Sequence, residues 1–332
     1  MTIPITQLGT TGLKVSRLCL GTMTFGFQTN EATAQRILDT AGEAGITFLD
    51  TADVYPLGGG LERVGTTEEI VGRWLKGKRE QFILASKCVG RMGPEPWNQG
   101  SSRKHILDAI DASLRRLQTD YLDLYQLHSD DPSTPLDETL EALDTIVRSG
   151  KARYIGVSNF LAYRLSRALG RSDLHRLTRF ISIQPRYNLL FREIERELLP
   201  LAQEEGLAVI PYNPLAGGLL TGKHIGQTAP PEGTRFTLGA AAENYQKRYW
   251  HPREFETVTE LQTVADAAGV SLTTLALAWV LANPAITAPI IGASRPEQLA
   301  DSIRAVDLNL DASLKQKLDD ITADYRKGDA TR

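Results

Sequence analysis

The sequence predicts an α/β fold: a single eight-stranded parallel (β/α)8 TIM barrel over residues 1–332, with an N-terminal hairpin and a long loop after strand 7. Three observations predict it. Seven short, largely apolar runs each close on, or lead to, a polar or small residue. Ile46–Leu49 ends on Asp50, Phe82–Ala85 leads to Lys87, and Leu122–Leu127 ends on His128. Tyr154–Val157 ends on Ser158 and Asn159, Phe180–Ile183 on Gln184, Leu207–Ile210 leads to Tyr212 and Asn213, and Ala288–Ile291 ends on Gly292. Helical patterns separate the runs, the signature of parallel strands joined by crossover helices. No linker rich in Pro, Gly or Ser divides the chain. In a closed parallel barrel all strand C-termini open on one face, so these closing residues converge on one pocket.

Taken in order, Ile3 to Val15, with Gly9 and Gly12, reads as a hairpin capping the barrel's other end. Eight strands are placed at 17–22, 46–50, 82–87, 121–128, 152–158, 180–184, 207–212 and 288–292. After Asn30, an N-cap, Ala34, Ile37, Leu38 and Ala41 share a helical face that Gly45 can end. Thr66 with Glu69 reads as a capping box for a helix running to about Leu75. Ser102 opens a helix whose face is Ile106, Ala109, Ile110, Ser113, Leu114 and Leu117. Thr134-Pro135 reads as an N-cap followed by proline at the first helical position, with Leu136, Leu140, Leu143 and Val147 facing inward. The segment 213–255 is too long for a simple connection and is expected to cover the pocket.

Composition excludes several classes. The 37 basic and 40 acidic residues give a net charge of −3 with no long basic run, so nucleic-acid binding has no electrostatic support. Cys19 and Cys88 sit in or beside apolar runs and read as reduced, buried thiols. No basic stretch followed by an apolar one opens the chain, and Leu275–Ala282 is too short to cross a bilayer. The expectation is a cytoplasmic protein with no membrane partner. The five histidines show no metal-ligand spacing, so no metal is expected.

Two motifs resemble more than they are. Gly217 to His224 nearly matches a phosphate loop, but His224 stands where a magnesium-binding hydroxyl is required, and the segment follows the seventh strand rather than the first. Glycines and a lysine near a phosphate nonetheless remain meaningful. No Gly-x-Gly-x-x-Gly follows a strand, so an open dinucleotide-binding sheet lacks its fingerprint. Gly58-Gly59-Gly60 reads as a flexible loop.

The chemistry concentrates on Asp50, Tyr55, Lys87 and His128, at or just past the ends of the second, third and fourth strands. Singly, each has an ordinary structural reading: a cap, a packed ring, a solvated cation, a satisfied polar group. Together they form an acid. A free tyrosine has a pKa near ~10 and donates poorly at neutral pH. A nearby ammonium lowers that value, a carboxylate holds the ammonium, and a histidine orients a carbonyl oxygen. Such a set protonates a carbonyl oxygen while something else delivers hydride to carbon. No side chain supplies hydride, so a nicotinamide cofactor is implied.

The segments Leu20–Met23, Phe48–Tyr55, Ala85–Lys87, Asp123–His128, Gly156–Phe160 and Gly292–Ser294 resemble the aldo-keto reductases, in family order and spacing, from about residue 5 to 325. Pro214–Gly217 and Glu297–Leu299 resemble the branch containing bacterial reductases and potassium-channel β subunits. The resemblance implies NADPH bound in extended form, Tyr55 as general acid, Lys87 and Asp50 tuning it, and His128 orienting the carbonyl. It places Gly21, Thr22 and Met23 beside the cofactor with Asp50. Ser158, Asn159 and Gln184 would hold the nicotinamide carboxamide and Tyr212 would stack on its ring. Asn213, Pro214, Leu215, Gly217 and Lys223 would follow the pyrophosphate, with Arg235 as a basic residue of the long insertion. Gly292, Ser294, Arg295, Gln298, Asp301 and Ser302 would take the adenosine end. Arg295 suits a 2′-phosphate, because guanidinium pairs bidentately with phosphate.

The chain departs from that pattern at Asn213 (commonly Ser), at Ser302 (commonly Asn) and at Ser129-Asp130-Asp131, which replaces an Arg-containing run. The function expected is reduction of an aldehyde or ketone to the alcohol with NADPH on a small-molecule carbonyl substrate. The alternative is an NADPH-binding regulatory subunit with little turnover. Channel subunits often lack the histidine matching His128, which favours the enzyme here. An isomerase on the same barrel would leave Ser158, Gln184, Tyr212 and Ser294 unexplained. Pocket walls are expected from Met23, Trp97, Phe160 and the stretch from Tyr245 to Trp250. Sugars, terpenoid ketones, small aldehydes and aromatic aldehydes remain open as substrates, as do reaction direction and a homo-oligomer.

Overall fold

The computed structural model describes residues 3–326. β1 (Ile5–Gln7) and β2 (Lys14–Ser16) form the antiparallel hairpin. The barrel strands follow as β3 (Cys19–Gly21), β4 (Phe48–Asp50), β5 (Ile83–Cys88), β6 (Leu122–Leu127), β7 (Ala152–Ser158), β8 (Phe180–Gln184), β9 (Ala208–Val209) and β10 (Ile290–Ile291). They lie in the parallel order β10-β3-β4-β5-β6-β7-β8-β9. The last seam is closed by Thr287 N–H donating to Val209 O at 2.8 Å and Ile290 N–H donating to Pro211 O at 2.8 Å. The bridge Val209–Ile286 belongs to the same seam.

The helices are α1 (Glu31–Glu43), α2 (Thr66–Leu75), α3 (Arg103–Leu117), α4 (Leu136–Arg148), α5 (Ala162–His175), α6 (Leu198–Glu204), α7 (Ala242–Tyr249), α8 (Pro252–Ala267), α9 (Leu272–Leu281), α10 (Leu299–Arg304) and α11 (Ala312–Ile321). Asn30 and Ser102 cap α1 and α3 as expected, each accepting from the N–H three residues on. Two caps differ from expectation. Thr66 does not cap α2: Gly65 holds the cap position with φ +87°, and Thr66 lies inside the helix beside Gly26. Only glycine enters that left-handed conformation without strain, which overrides the capping-box pattern. At α4, Pro135 rather than Thr134 occupies the cap, and the Thr134 hydroxyl donates to Asp131 Oδ2 at 2.7 Å.

Strand alternation divides the residues between two apolar layers. Cys19, Phe48, Ala85, Leu124, Ala208, Ala288 and Ile290 fill the barrel, sealed by Leu8 and Val15 of the hairpin. Leu18, Leu20, Leu49, Leu84, Leu122, Ile155 and Val157 face outward into the helical layer. Two residues beyond Phe48, Ala85, Leu124 and Ser182 on the same faces come Asp50, Lys87, Gln126 and Gln184, all buried. Period two therefore carries these polar groups to the inside of the barrel at its C-terminal end.

The hairpin tip is set by Gly9, at φ +60°, where a Cβ would meet Gly206 O at 2.6 Å and Ala208 N at 2.9 Å. Gly9→Ala is expected to lift the plug and destabilise the fold by about 1–3 kcal/mol. An unchanged urea midpoint would contradict that assignment.

Among the described residues no single helix is long and apolar enough to cross a membrane; α8 and α9 pass together by composition but meet at 93°. Both cysteines are free and buried.

Candidate active site

The strand C-termini open into a cavity of about 710 Å³. Its floor is built by β4, β5, β6 and β8. Lys87 is fully buried, and its ammonium has three acceptors: Asp50 Oδ2 at 2.6 Å, the Thr51 carbonyl at 2.7 Å and the Tyr55 hydroxyl at 3.5 Å. Asp50 Oδ1 accepts in turn from Gln184 Nε2 at 2.8 Å and Gln126 Nε2 at 3.3 Å. Burial works to strip the proton from Lys87, but Asp50 and Tyr55 overcome it and hold its pKa above the ordinary lysine value. The base of the site is thus a buried ion pair whose donors and acceptors are used.

Tyr55 behaves differently from the expectation. Burial dominates and pushes its hydroxyl up to about 12, with the Lys87 ammonium pulling the other way. The ammonium is beside the phenol as anticipated; desolvation, which a sequence does not display, outweighs it. His128 meets the Tyr55 ring edge-on, with ring centroids 5.6 Å apart. Burial, then the charge on Lys87, pushes the imidazole down to about 3, so it is neutral.

Along the next wall, Ser158 Oγ donates to Gln184 O at 2.7 Å, and Asn159 Nδ2 donates to His128 O at 2.9 Å. The Tyr212 hydroxyl donates to Asn159 Oδ1 at 2.8 Å. Asn213 sits at φ +62°, a left-handed position that asparagine tolerates better than serine, and its Oδ1 accepts from Gly217 N at 2.6 Å. Its place here is conformational. Gly217 and Gly218 follow at φ +70° and +103°. Tyr245 of α7 packs on the first, and the Lys223 ammonium lies beside the second.

The far end of the cavity is cationic. Arg235 reaches toward Gly292, and its Nη1 is buried without a hydrogen-bond partner among the described residues. Lys223 is held below the usual lysine range by burial and then by Arg295 and Arg235. None of the three has an acidic partner within ion-pair distance among the described residues. Three crowded cations without counter-charge form an anion site. Ser294, whose N–H donates to Gln298 Oε1 at 2.8 Å, and Asp301 complete this end.

The cavity is lined by Gly21, Met23, Asp50, Tyr55, His128, Ser158, Asn159, Gln184, Tyr212, Asn213, Pro214, Leu215, Gly217, Lys223, Arg235, Gly292, Ser294, Gln298 and Asp301. Lys87 lies beneath its floor. Three other anticipated contacts lie off the lining. Thr22 is fully buried, with its N–H and hydroxyl both donating to Asp50 O at 3.0 Å. Ser302 is buried inside α10. Arg295 acts on the cavity only through its charge beside Lys223.

The aromatic walls differ too. Trp97 is 53 % exposed, Phe160 packs edge-on against Phe180, and Trp250 packs among His224, Phe236 and Phe255. None of the three lines the cavity.

The segment after β9 covers the pocket, as expected, but it is not an open loop. It carries α7 and bridges to the opposite rim, where Gln28 Nε2 donates to Gly233 O at 2.6 Å. Gly58 packs against Leu238, so the triple-glycine run is part of the rim. Gln28, Asn244 and Thr273 line the cavity without having been anticipated, whereas Tyr245 and Arg248 come from the stretch expected to wall the pocket. The period of α7 places Asn244, Tyr245 and Arg248 on one face, a signal legible only once that segment is read as a helix. Asp131, in the run that departs from the family pattern, accepts from Ser101 N at 2.8 Å and from Ser133 and Thr134; it pins a loop.

Four similarities to known proteins bear on this geometry. A family model described as "Aldo/keto reductase family" matches residues 17–323. The chain is 44 % identical over 324 residues to "Uncharacterized oxidoreductase YrpG" of Bacillus subtilis, covering 95 % of each chain. It is 38 % identical over 309 residues to "Probable voltage-gated potassium channel subunit beta" of Arabidopsis thaliana, covering 91 % of this chain and 90 % of that one. It is also 37 % identical over 337 residues to "Protein tas" of Escherichia coli, covering 94 % and 96 %.

Proposed function

The chain belongs to the aldo/keto reductase family of oxidoreductases, and from that premise we propose that it reduces an aldehyde or ketone to the alcohol with NADPH, Tyr55 delivering the proton. The observation that carries the reading is the Lys87 ammonium, bonded at once to Asp50, Thr51 O and Tyr55 on the floor of the cavity.

The residues fit the cofactor. Unneutralised Lys223, Arg235 and Arg295 suit its phosphates, and the left-handed backbone at Gly217 and Gly218 leaves no side chain between them and a ligand. Ser158, Asn159 and Gln184 would hold the carboxamide, Tyr212 would lie against the nicotinamide, and Gly292, Ser294, Gln298 and Asp301 would take the adenosine. When bound, the nicotinamide supplies hydride to the carbonyl carbon.

Every other step belongs to the chain. Neutral His128 donates an N–H to the substrate oxygen and sets it beside the Tyr55 hydroxyl. Tyr55, held protonated by burial, transfers its proton as negative charge builds on that oxygen, because an alkoxide is a stronger base than phenolate. Lys87 stabilises the phenolate left behind, and Asp50 keeps Lys87 in place. In reverse, the same tyrosine acts as base toward an alcohol. The reading carries with it a small-molecule substrate and a cytoplasmic location. The second reading, a cofactor-binding regulatory subunit, draws on the channel-subunit relative; the connected arrangement of Asp50, Lys87 and Tyr55 favours turnover.

The test is NADPH oxidation, followed by absorbance, with 4-nitrobenzaldehyde and a panel of other carbonyls, together with cofactor binding. Turnover supports the reductase. Binding without turnover on any carbonyl favours the regulatory reading, and failure to bind either nicotinamide cofactor defeats both.

A pH profile adds a separate check. Reduction needs Tyr55 protonated, which holds below about 12, and His128 neutral, which holds above about 3. The kcat/KM for reduction is therefore expected to be flat from about pH 5 to 9, where free histidine would titrate near ~6.5. A fall in rate as the pH drops through that histidine value would show His128 titrating normally and overturn its neutral role.

A further inference from the structure

Resting on the reductase reading above, we propose that the end of β5, from Lys87 to Gly90, is a positioning device that sets Tyr55 and His128 against the Lys87 ammonium, and that the contact of Gly90 with Val54 fixes how close Tyr55 comes. Three successive carbonyls stand here, and each accepts from a different segment. Lys87 O accepts from Asp53 N–H at 3.1 Å, in the turn that carries Tyr55. Cys88 O accepts from the N–H of His128 itself at 2.9 Å. Val89 O accepts from Gly100 N–H at 2.8 Å, which closes the loop that follows. Both groups assigned to the substrate oxygen, Tyr55 and His128, thus hang on one strand end, and that strand also carries Lys87.

The backbone is strained at this point. Val89 is buried at φ +94°, a left-handed conformation that a β-branched residue avoids. Such a residue persists only where its surroundings over-determine it, and outliers of this kind cluster at functional sites. The chain turns there so that Gly90 lies on Val54, the neighbour of Tyr55. No side chain fits between them: a Cβ on Gly90 would fall inside Val54 Cγ1 and stand 3.3 Å from Val54 Cβ. Val54 is short and branched at Cβ, so it has no flexible far end to swing aside. Added bulk must part the two backbones, and Tyr55 follows in one while Lys87 precedes in the other. The Tyr55 hydroxyl is 3.5 Å from the Lys87 ammonium, the outer limit of a hydrogen bond, so a small displacement breaks it.

The test is substitution at this contact in the full chain. Gly90→Ala is expected to lower kcat for 4-nitrobenzaldehyde by about 10²-fold, the cost of moving a reacting group by about 1 Å. NADPH affinity, measured by calorimetry, is expected to hold, because neither Gly90 nor Val54 lines the cavity. Adding Val54→Ala removes the methyl groups that the new Cβ meets, and should recover at least about tenfold of the loss, as coupled neighbours do. Carbon NMR of protein labelled at the tyrosine hydroxyl carbon reads the same displacement without turnover, with the Tyr55 signal assigned by its disappearance in Tyr55→Phe. That signal should move in Gly90→Ala and return toward its place in the double variant. An unchanged kcat and Tyr55 signal in Gly90→Ala, a loss of NADPH affinity as large as the loss of kcat, or a double variant no better than the single one would each overturn the assignment. Should Gly90→Ala fail to fold, Val54→Ala alone decides: it opens a gap beside Gly90 and is expected to lower kcat and shift the Tyr55 signal, and no change in either overturns the proposal. Absence of turnover in the unsubstituted chain over the whole carbonyl panel would defeat the reductase reading, while the Tyr55 signal would still decide the positioning.

Discussion

Tyr55→Phe is expected to lower kcat for carbonyl reduction by about 10²–10⁴-fold, the range that a positioned proton donor supplies. The substitution removes one oxygen and keeps the ring that meets His128 edge-on. Lys87 keeps its bonds to Asp50 and Thr51 O, so the ion pair beneath the cavity survives. The fold and NADPH affinity are thus expected to stay close to those of the unsubstituted protein, measured by thermal unfolding and fluorescence titration. Turnover of the Tyr55→Phe variant within about threefold of the original would remove Tyr55 from the chemistry, because so small a change lies well below what loss of a general acid produces.

Lys87→Met is expected to act on both activity and stability. Lys87 is fully buried, and its loss leaves Asp50 as a carboxylate that is 3 % exposed with only two carboxamide N–H donors. Breaking a buried pair by removing one partner costs about 3–5 kcal/mol, most of it from the charge left unpaired. The urea midpoint should fall accordingly. The double substitution Lys87→Met with Asp50→Asn should recover part of that loss, since no buried charge remains, while activity stays lost. A single substitution with an unchanged midpoint, or a double variant less stable than the single one, would contradict the ion-pair account.

The substrate end was only partly readable from the chain. Asp50, Lys87 and His128 announce themselves because each follows an apolar run, and the strand period of two points the first two inward. Tyr55 follows five residues after Asp50, past the strand end, and stands out only when taken together with the other three. Arg248, inside the stretch expected to wall the pocket, and Asn244, just outside it, carry no such mark. They belong to a helix inside a covering segment, and their direction depends on Tyr245 seating against Gly217, a contact between residues 28 positions apart. The misplaced tryptophans have the same origin: an aromatic residue in a loop packs wherever the loop folds, and Trp250 found Phe236 and Phe255 instead of the cavity.

Local caps divide similarly. Asn30 and Ser102 cap their helices because a short polar side chain satisfies the first free N–H groups whatever surrounds it. Thr66 lost that position to Gly65 because the chain arrives from the rim in a left-handed turn. Thr22 and Ser302, both expected at the cofactor, are buried off the cavity, Thr22 with its hydroxyl on Asp50 O.

By itself the sequence determined the barrel, the order of its strands, the hairpin that plugs it and the identity of the ion pair at its floor, because periodicity and strand ends are local properties. Only the tertiary structure decided the proton affinity of Tyr55 and His128, the convergence of Lys223, Arg235 and Arg295, and the placing of Arg248. Those depend on desolvation and on charges brought together from distant segments, and neither quantity exists until the chain has folded.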